Sequence, residues 1–473
     1  MPTTATIHTL ANGLTVIIEP MRDVRSAAFS FLVPAGSVHD PDGQNGTAAI
    51  LSDLILRGAG PLDSRQLTAT LDNLGLQRGE SVGVKHLGFS GATVADRLPQ
   101  ALAVYGDILK NPHLPSDQFD ASRDGLEMTL QAMQDEPRQR LMVELRRLCF
   151  PSPWGTPAYG QLEQLPEISS ESVGDHFRQL VRPNAAILGV AGGVDPDEVL
   201  AVVEAAFGDW EPLPETAFET GVQDHVVEHI HHDSTQTHIG IAYDAVPYRH
   251  EDYYAAWAAV GVLSGGMSSR LFTEVRERRG LCYSISAVLN SLPHHARVLA
   301  YAGTTSDRAQ ETLDVTLEEI RRVAEGIEPG ELERCQSRAK SALIMEQEST
   351  IARAGAVARD WFHLGRITTL EEVRGKIEAL TVETVLEYIH AHPADTVTVV
   401  TIGPEPLEVT SGVSRDHARE RAEGDRRVEP GGPERRGGGL CPHRIAGRGR
   451  GRLGRQPLPG AHGVQGQRGL LSR

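Results

Sequence analysis

The chain carries a weak internal repeat, and this repeat restricts the possible folds more than any other feature. The segment ISSESVGDHFRQLVRPNAAILGVAGGVDPDEV, from Ile168, resembles LTVETVLEYIHAHPADTVTVVTIGPEPLEV, from Leu380. Each combines a helix-cap signal, an amphipathic helix, a turn and an apolar strand. Upstream, LPSDQFDASRDGLEMTLQ, from Leu114, resembles EPGELERCQSRAKSALIM, from Glu328. When shared residues are aligned, the two offsets are 212 and 215 residues, which predicts two homologous halves.

Each half mixes strand and helix signals. IHTLANGLTVIIEP is typical of a hairpin with Asn-Gly at its tip, and SAAFSFLVPAGS is typical of a strand. Apolar periodicity predicts helices over residues 47–57, 97–110 and 116–149. Long neighbouring helices together with hairpin-linked strands favour an α+β sandwich in each half.

The periodic pattern stops after about Thr410, where the sequence becomes rich in Arg, Gly and Pro. Such a composition cannot bury enough apolar surface to offset its ordering entropy, so a disordered tail is predicted. An RGG-like nucleic-acid-binding tail and an altered reading frame at the end of the gene would have the same composition. The proline-rich, acidic stretch after Trp210 is typical of a linker. The expected order is a first domain over 1–212, a linker over 213–225, a second domain over 226–410 and the tail over 411–473.

The net charge of −17 conceals two oppositely charged parts. Residues 411–473 contain 14 arginines and 6 acids, a net of +8, which leaves −25 for residues 1–410. An acidic body disfavours nucleic acid and would attract basic peptides, although solubility alone is an alternative reason for the charge. No apolar run reaches the roughly 18–20 residues of a membrane span, and no signal peptide is evident at the start. We therefore expect a cytoplasmic protein that binds no membrane.

Four segments of the chain carry a resemblance to known proteins: ANGLTVIIEP with the following AGSVHDP, NGTAAILSDLILRGAG, GGMSSRLFTEVRERRGLCYSISA and NAAILGVAGGVDPDEV. Together they resemble the M16 metallopeptidases, the insulysin-, pitrilysin- and processing-peptidase-like proteins. The resemblance covers about residues 5–410, and the third segment, from Gly265 to Ala287, is its most specific part. It implies a pair of similar α+β domains that form half of a clamshell, in agreement with the internal repeat.

The segment NGTAAILSDLILRGAG, from Asn45, takes the place of the family's zinc-binding H-x-x-E-H helix. In that motif, two histidines four residues apart bind one zinc and the glutamate acts as general base. The resemblance puts these positions at Ala49, Ser52 and Asp53, and the third ligand near Thr129. Alanine has no donor atom, serine is too weak a base, and Asp53 alone cannot supply the three protein ligands of a catalytic zinc. We expect no metal or other cofactor in this chain, and a helix that keeps only its packing role.

The segment after Gly265 keeps chemically useful residues. A helix capped by Ser268 or Ser269 and stopped by Gly280 would carry Arg276 on its last turn, and a strand would begin near Tyr283. Both side chains donate hydrogen bonds, so together they could hold a peptide carbonyl or a developing oxyanion. The family carries such an Arg/Tyr pair at this spacing, where it completes the zinc site of the catalytic domain.

Other polar residues carry weaker signals. Arg270, Glu274 and Arg279 are interpreted as surface or intersubunit salt-bridge residues. HVVEHIHHD places His229 and His231 on one face of a strand, as in some metal sites, but no carboxylate or cysteine pattern accompanies them. A surface strand is the favoured interpretation.

The resemblance implies three functional hypotheses. In the first, this chain is the non-catalytic subunit of a heterodimeric zinc endopeptidase, inactive alone, that lends Arg276 and Tyr283 to a peptide bound at the zinc site of an H-x-x-E-H-bearing paralogue. In the second, it is a structural or assembly protein, like the core subunits of respiratory complexes. In the third, it is an independent zinc peptidase, which would bind about one zinc per chain.

Overall fold

Residues 5–409 are described by the structure, which is a computed structural model. The predicted disordered tail lies outside this range. The described part contains two mixed β-sheets with helices packed on them, so the predicted α+β class is confirmed. None of the helices within residues 5–409 is both long and apolar enough to cross a membrane.

The first sheet has six strands and a short separate ribbon beside it. The strands of the first half are β1 (Thr6–Thr9), β2 (Thr15–Pro20), β3 (Ser26–Val33), the ribbon strands β4 (Gly58–Ala59) and β5 (Leu62–Asp63), β6 (Gln77–Val82), β7 (Leu87–Val94) and β8 (Ile187–Gly192). Across the sheet the order is β1-β2-β8-β3-β7-β6. Within this sheet β2 and β8 pair in parallel, and all other neighbouring strands pair antiparallel.

The second sheet repeats this topology. Its strands are β9 (Val227–His231), β10 (Gln236–Ala245), β11 (Cys282–Ser291), β12 (Ala296–Thr305) and β13 (Thr398–Gly403). Read from β9, the order β9-β13-β10-β12-β11 matches β2-β8-β3-β7-β6, with one parallel pair at the same place. The shared order supports the homologous halves inferred from the sequence repeat, and it makes β6 and β11 equivalent edge strands.

Both halves also contain several helices. Those of the first half are α1 (Thr47–Leu54), α2 (Ser64–Asn73), α3 (Leu98–Lys110), α4 (Phe119–Gln134), α5 (Pro137–Cys149), α6 (Ser170–Leu180) and α7 (Pro196–Phe207). Those of the second half are α8 (Tyr253–Ser264), α9 (Ala309–Arg322), α10 (Pro329–Gln347), α11 (Thr350–Leu364), α12 (Leu370–Glu378) and α13 (Val382–Ala391), with a π-helix over Phe272–Arg278. The helical stretch predicted over 116–149 is divided because Pro137 has no N–H to donate and starts a new helix.

Two helices are exchanged between the halves. Helix α5 belongs to the first half, yet Leu141 and Leu145 pack with Leu299 and Val400 of the second sheet. Helix α11 belongs to the second half, yet Val357 packs with strand residues of the first sheet. Each sheet is therefore covered on one face by a helix from the other half, which joins the halves through apolar burial.

Candidate substrate-binding site

Helix α1 lies in the core of the first half and offers little to a metal. Ala49 is buried, and the Ser52 hydroxyl donates to its carbonyl oxygen at 2.8 Å. The Asp53 carboxylate accepts from Arg57 Nε at 2.9 Å and from the Ser122 hydroxyl of α4 at 2.6 Å. Thr129 lies on the exposed surface of α4, where its hydroxyl donates back to the Gly125 carbonyl oxygen. The four positions therefore hold one carboxylate, and that carboxylate already has partners.

The N-terminus of α1 is capped by an aspartate that sequence inspection missed. Asp40 lies in the loop before the helix and accepts from the backbone N–H groups of Gly46 and Ala48, each at 2.8 Å. It also accepts from Asn45 Nδ2 at 2.9 Å. Desolvation raises the pKa of Asp40 to about 6, although these three hydrogen bonds act in the opposite direction. The signal was weak because the cap stands six residues before Gly46, outside the usual N-cap position.

Metal-binding side chains do not converge elsewhere in residues 5–409: no three His, Cys, Asp or Glu side chains lie close enough to hold one ion. His229 Nδ1 bonds to Thr401 Oγ1 at 2.8 Å, and His231 Nδ1 to the Pro404 carbonyl oxygen at 3.1 Å. These histidines belong to β9, an edge strand of the second sheet. Their separate partners fit the interpretation as a surface strand.

A network of ion pairs holds the segment before β11. Arg270 donates to both carboxylate oxygens of Glu331, at 2.8 and 2.7 Å, and to the Gly326 carbonyl oxygen. Glu274, only 8% exposed, accepts from Arg278 at 2.6 Å and from Arg279 at 3.0 Å. The predicted salt-bridge role of Arg270, Glu274 and Arg279 is confirmed, but the bridges form within the chain. The expectation of a surface position is wrong for Glu274, which is buried.

Arg276 differs from the arginines around it. It lies on the π-helix, a rare geometry that is frequent at functional sites. Its guanidinium stacks over the Phe272 ring at 4.6 Å, and no carboxylate within residues 5–409 pairs with it. Because its side chain is exposed, the charge and hydrogen-bond donors of Arg276 are available to a partner molecule.

Tyr283 stands at an irregularity on an edge strand. Cys282 lies opposite Thr304 and Ser284 lies opposite Gly303, so Tyr283 is an extra residue in β11 and forms a β-bulge. Bulges redirect a side chain and are over-represented next to active sites. The Tyr283 side chain is 48% exposed, and β11 is the outermost strand of its sheet. Gly280, at φ 57°, makes the left-handed turn that joins the π-helix to this strand.

The phenol of Tyr283 is held by a residue from another strand. Its hydroxyl donates to Gln236 Oε1 on β10, at 2.5 Å. On the same part of the sheet, His238 Nδ1 bonds to the Tyr301 hydroxyl at 2.9 Å. Arg138, from the exchanged helix α5, stacks over the Tyr301 ring at 4.6 Å. Sequence inspection missed these residues because they come together only through the pairing of β10 with β12 and the packing of α5.

Two sequence profiles of one peptidase family match successive parts of the chain. The profile described as insulinase (peptidase family M16) matches residues 15–150. The profile described as peptidase M16 inactive domain matches residues 167–339. Together they span more than half of the chain, which therefore belongs to peptidase family M16.

Similar proteins cover nearly the whole described region. The uncharacterized zinc protease YmxG of Bacillus subtilis is 24% identical over 383 residues, which are 80% of this chain and 93% of that protein. An uncharacterized zinc protease of Rickettsia bellii is 23% identical over 407 residues, 85% of this chain and 98% of that protein.

Solved structures share the fold at low sequence identity. A peptidase M16 inactive domain from Pseudomonas fluorescens has a TM-score of 0.79 at 19% identity, with 86% of this chain and 100% of that chain covered. A protease from Helicobacter pylori has the same TM-score and identity, with 85% and 100% covered. A chain of complex III2 from Candida albicans has a TM-score of 0.73 at 18% identity, with 85% and 96% covered.

Proposed function

We propose that this chain is the non-catalytic subunit of a heterodimeric M16-type zinc endopeptidase. A paralogue that bears the H-x-x-E-H motif would provide the zinc site, and this chain would present Arg276 and Tyr283 to the bound peptide. The observation that carries the proposal is that Arg276 has no carboxylate partner within residues 5–409. Arg270, Arg278 and Arg279 all have carboxylate partners, whereas the exposed guanidinium of Arg276 has only an aromatic ring.

The side chains at the positions of the zinc ligands on and near α1 also support a non-catalytic role for this chain. A catalytic zinc takes three protein ligands and leaves a position for water or substrate. Ala49, Ser52, Asp53 and Thr129 include one carboxylate, which is already bonded to Arg57 and Ser122. These residues do not fit a zinc ion, so no catalytic step is assigned to this helix.

The chemistry of Arg276 and Tyr283 follows from their hydrogen-bond inventory. The partner's zinc would act as a Lewis acid on the peptide carbonyl. Arg276 would place a permanent positive charge and N–H donors near the oxygen where negative charge develops. A phenol has one proton to donate, and here that proton is given to Gln236. Rotation of the Gln236 amide would turn its NH₂ group toward the phenol oxygen and free the Tyr283 proton for the substrate.

The edge position of β11 gives a route for the substrate. Its outer backbone groups have no neighbouring strand among residues 5–409. An extended peptide could add to this edge through main-chain hydrogen bonds, with Tyr283 at one end of the strand. The acidic composition of the body would favour basic peptides.

The test is reconstitution with an H-x-x-E-H paralogue and measurement of peptide cleavage. We expect Tyr283→Phe and Arg276→Ala each to lower kcat/KM by about 10²-fold, the size measured for loss of one oxyanion donor. Arg278→Ala is the matched control, since Arg278 is exposed on the same π-helix but pairs with Glu274. If both functional variants cleave as fast as the wild type, the proposal is wrong.

A second candidate is a structural or assembly role, motivated by the similarity to a chain of complex III2. This role predicts that the protein purifies with a larger assembly and that no peptidase paralogue binds it. It also predicts that Arg276→Ala and Tyr283→Phe leave the amount and stability of that assembly unchanged. Cleavage that depends on both residues would exclude it.

A further inference from the structure

A polar cavity of about 490 Å³ opens where the end of α11 meets the loop before α8 and helix α12. Its volume lies within the range of small-molecule sites. The Tyr248 N–H at its wall donates to the Ser291 hydroxyl, at the far end of β11 from Tyr283. The two ends are eight residue steps apart along the strand, about 26 Å at ~3.3 Å per step. The cavity is therefore distinct from the candidate peptide site.

The cavity is rich in cations although the body of the protein is acidic. Arg249, Arg366 and Lys376 line it, and Glu251 is the lining carboxylate. Glu372, just outside, is shared by two of the cations. Arg366 donates to both of its oxygens, and the Lys376 ammonium lies 3.2 Å away. The Glu372 carboxylate thus pairs with two cations. The hydrogen bonds from Arg366 lower the pKa of Glu372 to about 2.

Arg249 adds a cation with no carboxylate partner among residues 5–409. Its guanidinium uses one N–H, which donates to the His363 carbonyl oxygen at 3.0 Å. An arginine has five N–H donors in a planar fork, so most of them remain free. An isolated guanidinium beside a second cationic group is suited to a phosphate, which accepts paired hydrogen bonds from arginine.

Aromatic side chains form the rest of the wall. Tyr248, Tyr254 and Phe362 each pack against another ring. Trp361 makes no ring–ring contact within the described residues. It packs against the apolar cluster around Val357 and also lines the cavity. An indole held in this way can serve as a stacking surface for a flat ring.

The buried acid nearest the cavity is already satisfied. Asp360 accepts from the Tyr248 hydroxyl at 3.1 Å and from the Thr368 N–H at 3.0 Å. Asp360 is 7% exposed and does not line the cavity.

We propose that this cavity binds a nucleoside phosphate, with the phosphates on Arg249 and Lys376 and the base against Trp361. The probe is ADP, titrated into the full-length protein by calorimetry. We expect saturable binding with one ADP per chain, and adenosine and pyrophosphate each at least about tenfold weaker, a loss of about 1.4 kcal/mol. ADP should also quench tryptophan fluorescence, and Trp361→Phe should remove that quenching.

Two cavity variants and a matched control test the position of the site. Arg249→Ala and Lys376→Gln should each weaken ADP binding at least about tenfold. Arg374→Ala should leave it unchanged, because Arg374 lies on the same helix as Lys376 but pairs with Glu378 outside the cavity. Any of three results would overturn the proposal. The wild type could show no saturable binding at millimolar ADP, Arg249→Ala could bind ADP as tightly as the wild type, or pyrophosphate could bind as tightly as ADP.

Discussion

Arg353 on α11 forms a two-pronged salt bridge with Glu19 on β2, between residues 334 positions apart in the chain. Its Nε and Nη2 lie 2.9 and 2.7 Å from the two carboxylate oxygens. The arginine side chain is 6% exposed and that of the glutamate 15%. Because α11 belongs to the second half and β2 to the first, this pair fixes an exchanged helix to the sheet it covers.

Loss of Arg353 should therefore destabilise the whole fold. Arg353→Met leaves the Glu19 carboxylate largely buried without its partner, and removal of one member of a buried pair costs about 3–5 kcal/mol. We expect a fall of about 3 kcal/mol in the free energy of unfolding, measured by urea denaturation. Arg374→Ala, which breaks an exposed pair with Glu378, should change it by less than about 1 kcal/mol.

A double variant separates the unpaired charge from lost packing. Arg353→Met with Glu19→Gln removes both charges, so part of the lost stability should return. If the double variant is less stable than Arg353→Met alone, the buried charge is not the cause.

Asp40 should stabilise the N-terminus of α1. Asp40→Ala removes the acceptor of two backbone N–H groups, and loss of a helix cap costs about 0.5–2 kcal/mol. Asp42→Ala is the control, since Asp42 is exposed in the same loop. We expect only Asp40→Ala to lower the melting temperature. Equal melting temperatures for the two variants would contradict the capping role.

The order of strands and helices could be predicted from sequence because each half repeats the same signals. Hairpin residues around Gly13 and the apolar run Ile187–Gly192 are local features that fix elements. Pro137 is an equally local signal, and the prediction of one helical stretch over 116–149 overlooked it. The exchange of α5 and α11 could not be predicted. An amphipathic helix shows that one face will be buried but not which sheet will bury it.

The candidate site was predicted only in part, for similar reasons. The sequence RERR shows several arginines close together, and only the fold decides that Arg278 and Arg279 share Glu274 while Arg276 remains unpaired. A regular helix was expected around Arg276, where the chain forms a π-helix instead. Gln236 gave no signal, because its bond to Tyr283 depends on two strands that are separated by β12 in the sheet.

Removal of metal should not change the melting temperature of this chain when it is purified alone. The positions equivalent to the zinc ligands offer one carboxylate that is already bonded, so neither EDTA nor added zinc should shift the melting temperature. Elemental analysis should find far less than one zinc per chain. A zinc-dependent rise in melting temperature, lost in Asp53→Asn, would show instead that α1 binds metal.

Gln236 should act on catalysis through Tyr283. Gln236→Leu removes the amide that orients the phenol, including the NH₂ group that would hold it once the Tyr283 proton is freed. The kcat of the reconstituted peptidase should therefore fall while KM changes little. The effect should be smaller than that of Tyr283→Phe, and it should vanish when the tyrosine is already phenylalanine. Additive losses in the double variant would mean that Gln236 acts separately.

The protein should lose stability as the pH falls from about 6.5 to about 4. Burial lowers the pKa of four histidines: to about 3 for His39 and His86, and to about 4 for His176 and His363. Below pH 6.5 the unfolded chain therefore binds more protons than the folded one, and stability decreases with acid. Asp40 acts in the opposite sense, because its raised pKa makes the folded state bind the extra proton between about pH 4 and 6.

His176 allows one of these contributions to be isolated. It is 4% exposed and bonds to the Ala35 carbonyl oxygen at 3.2 Å. A shift from 6.5 to about 4 corresponds to at most about 3 kcal/mol between neutral and acidic pH. His176→Gln keeps an N–H donor for Ala35 but does not titrate, so urea midpoints measured from pH 7 to pH 4 should fall less steeply than in the wild type. Parallel pH profiles would show that His176 is not the source of the acid sensitivity.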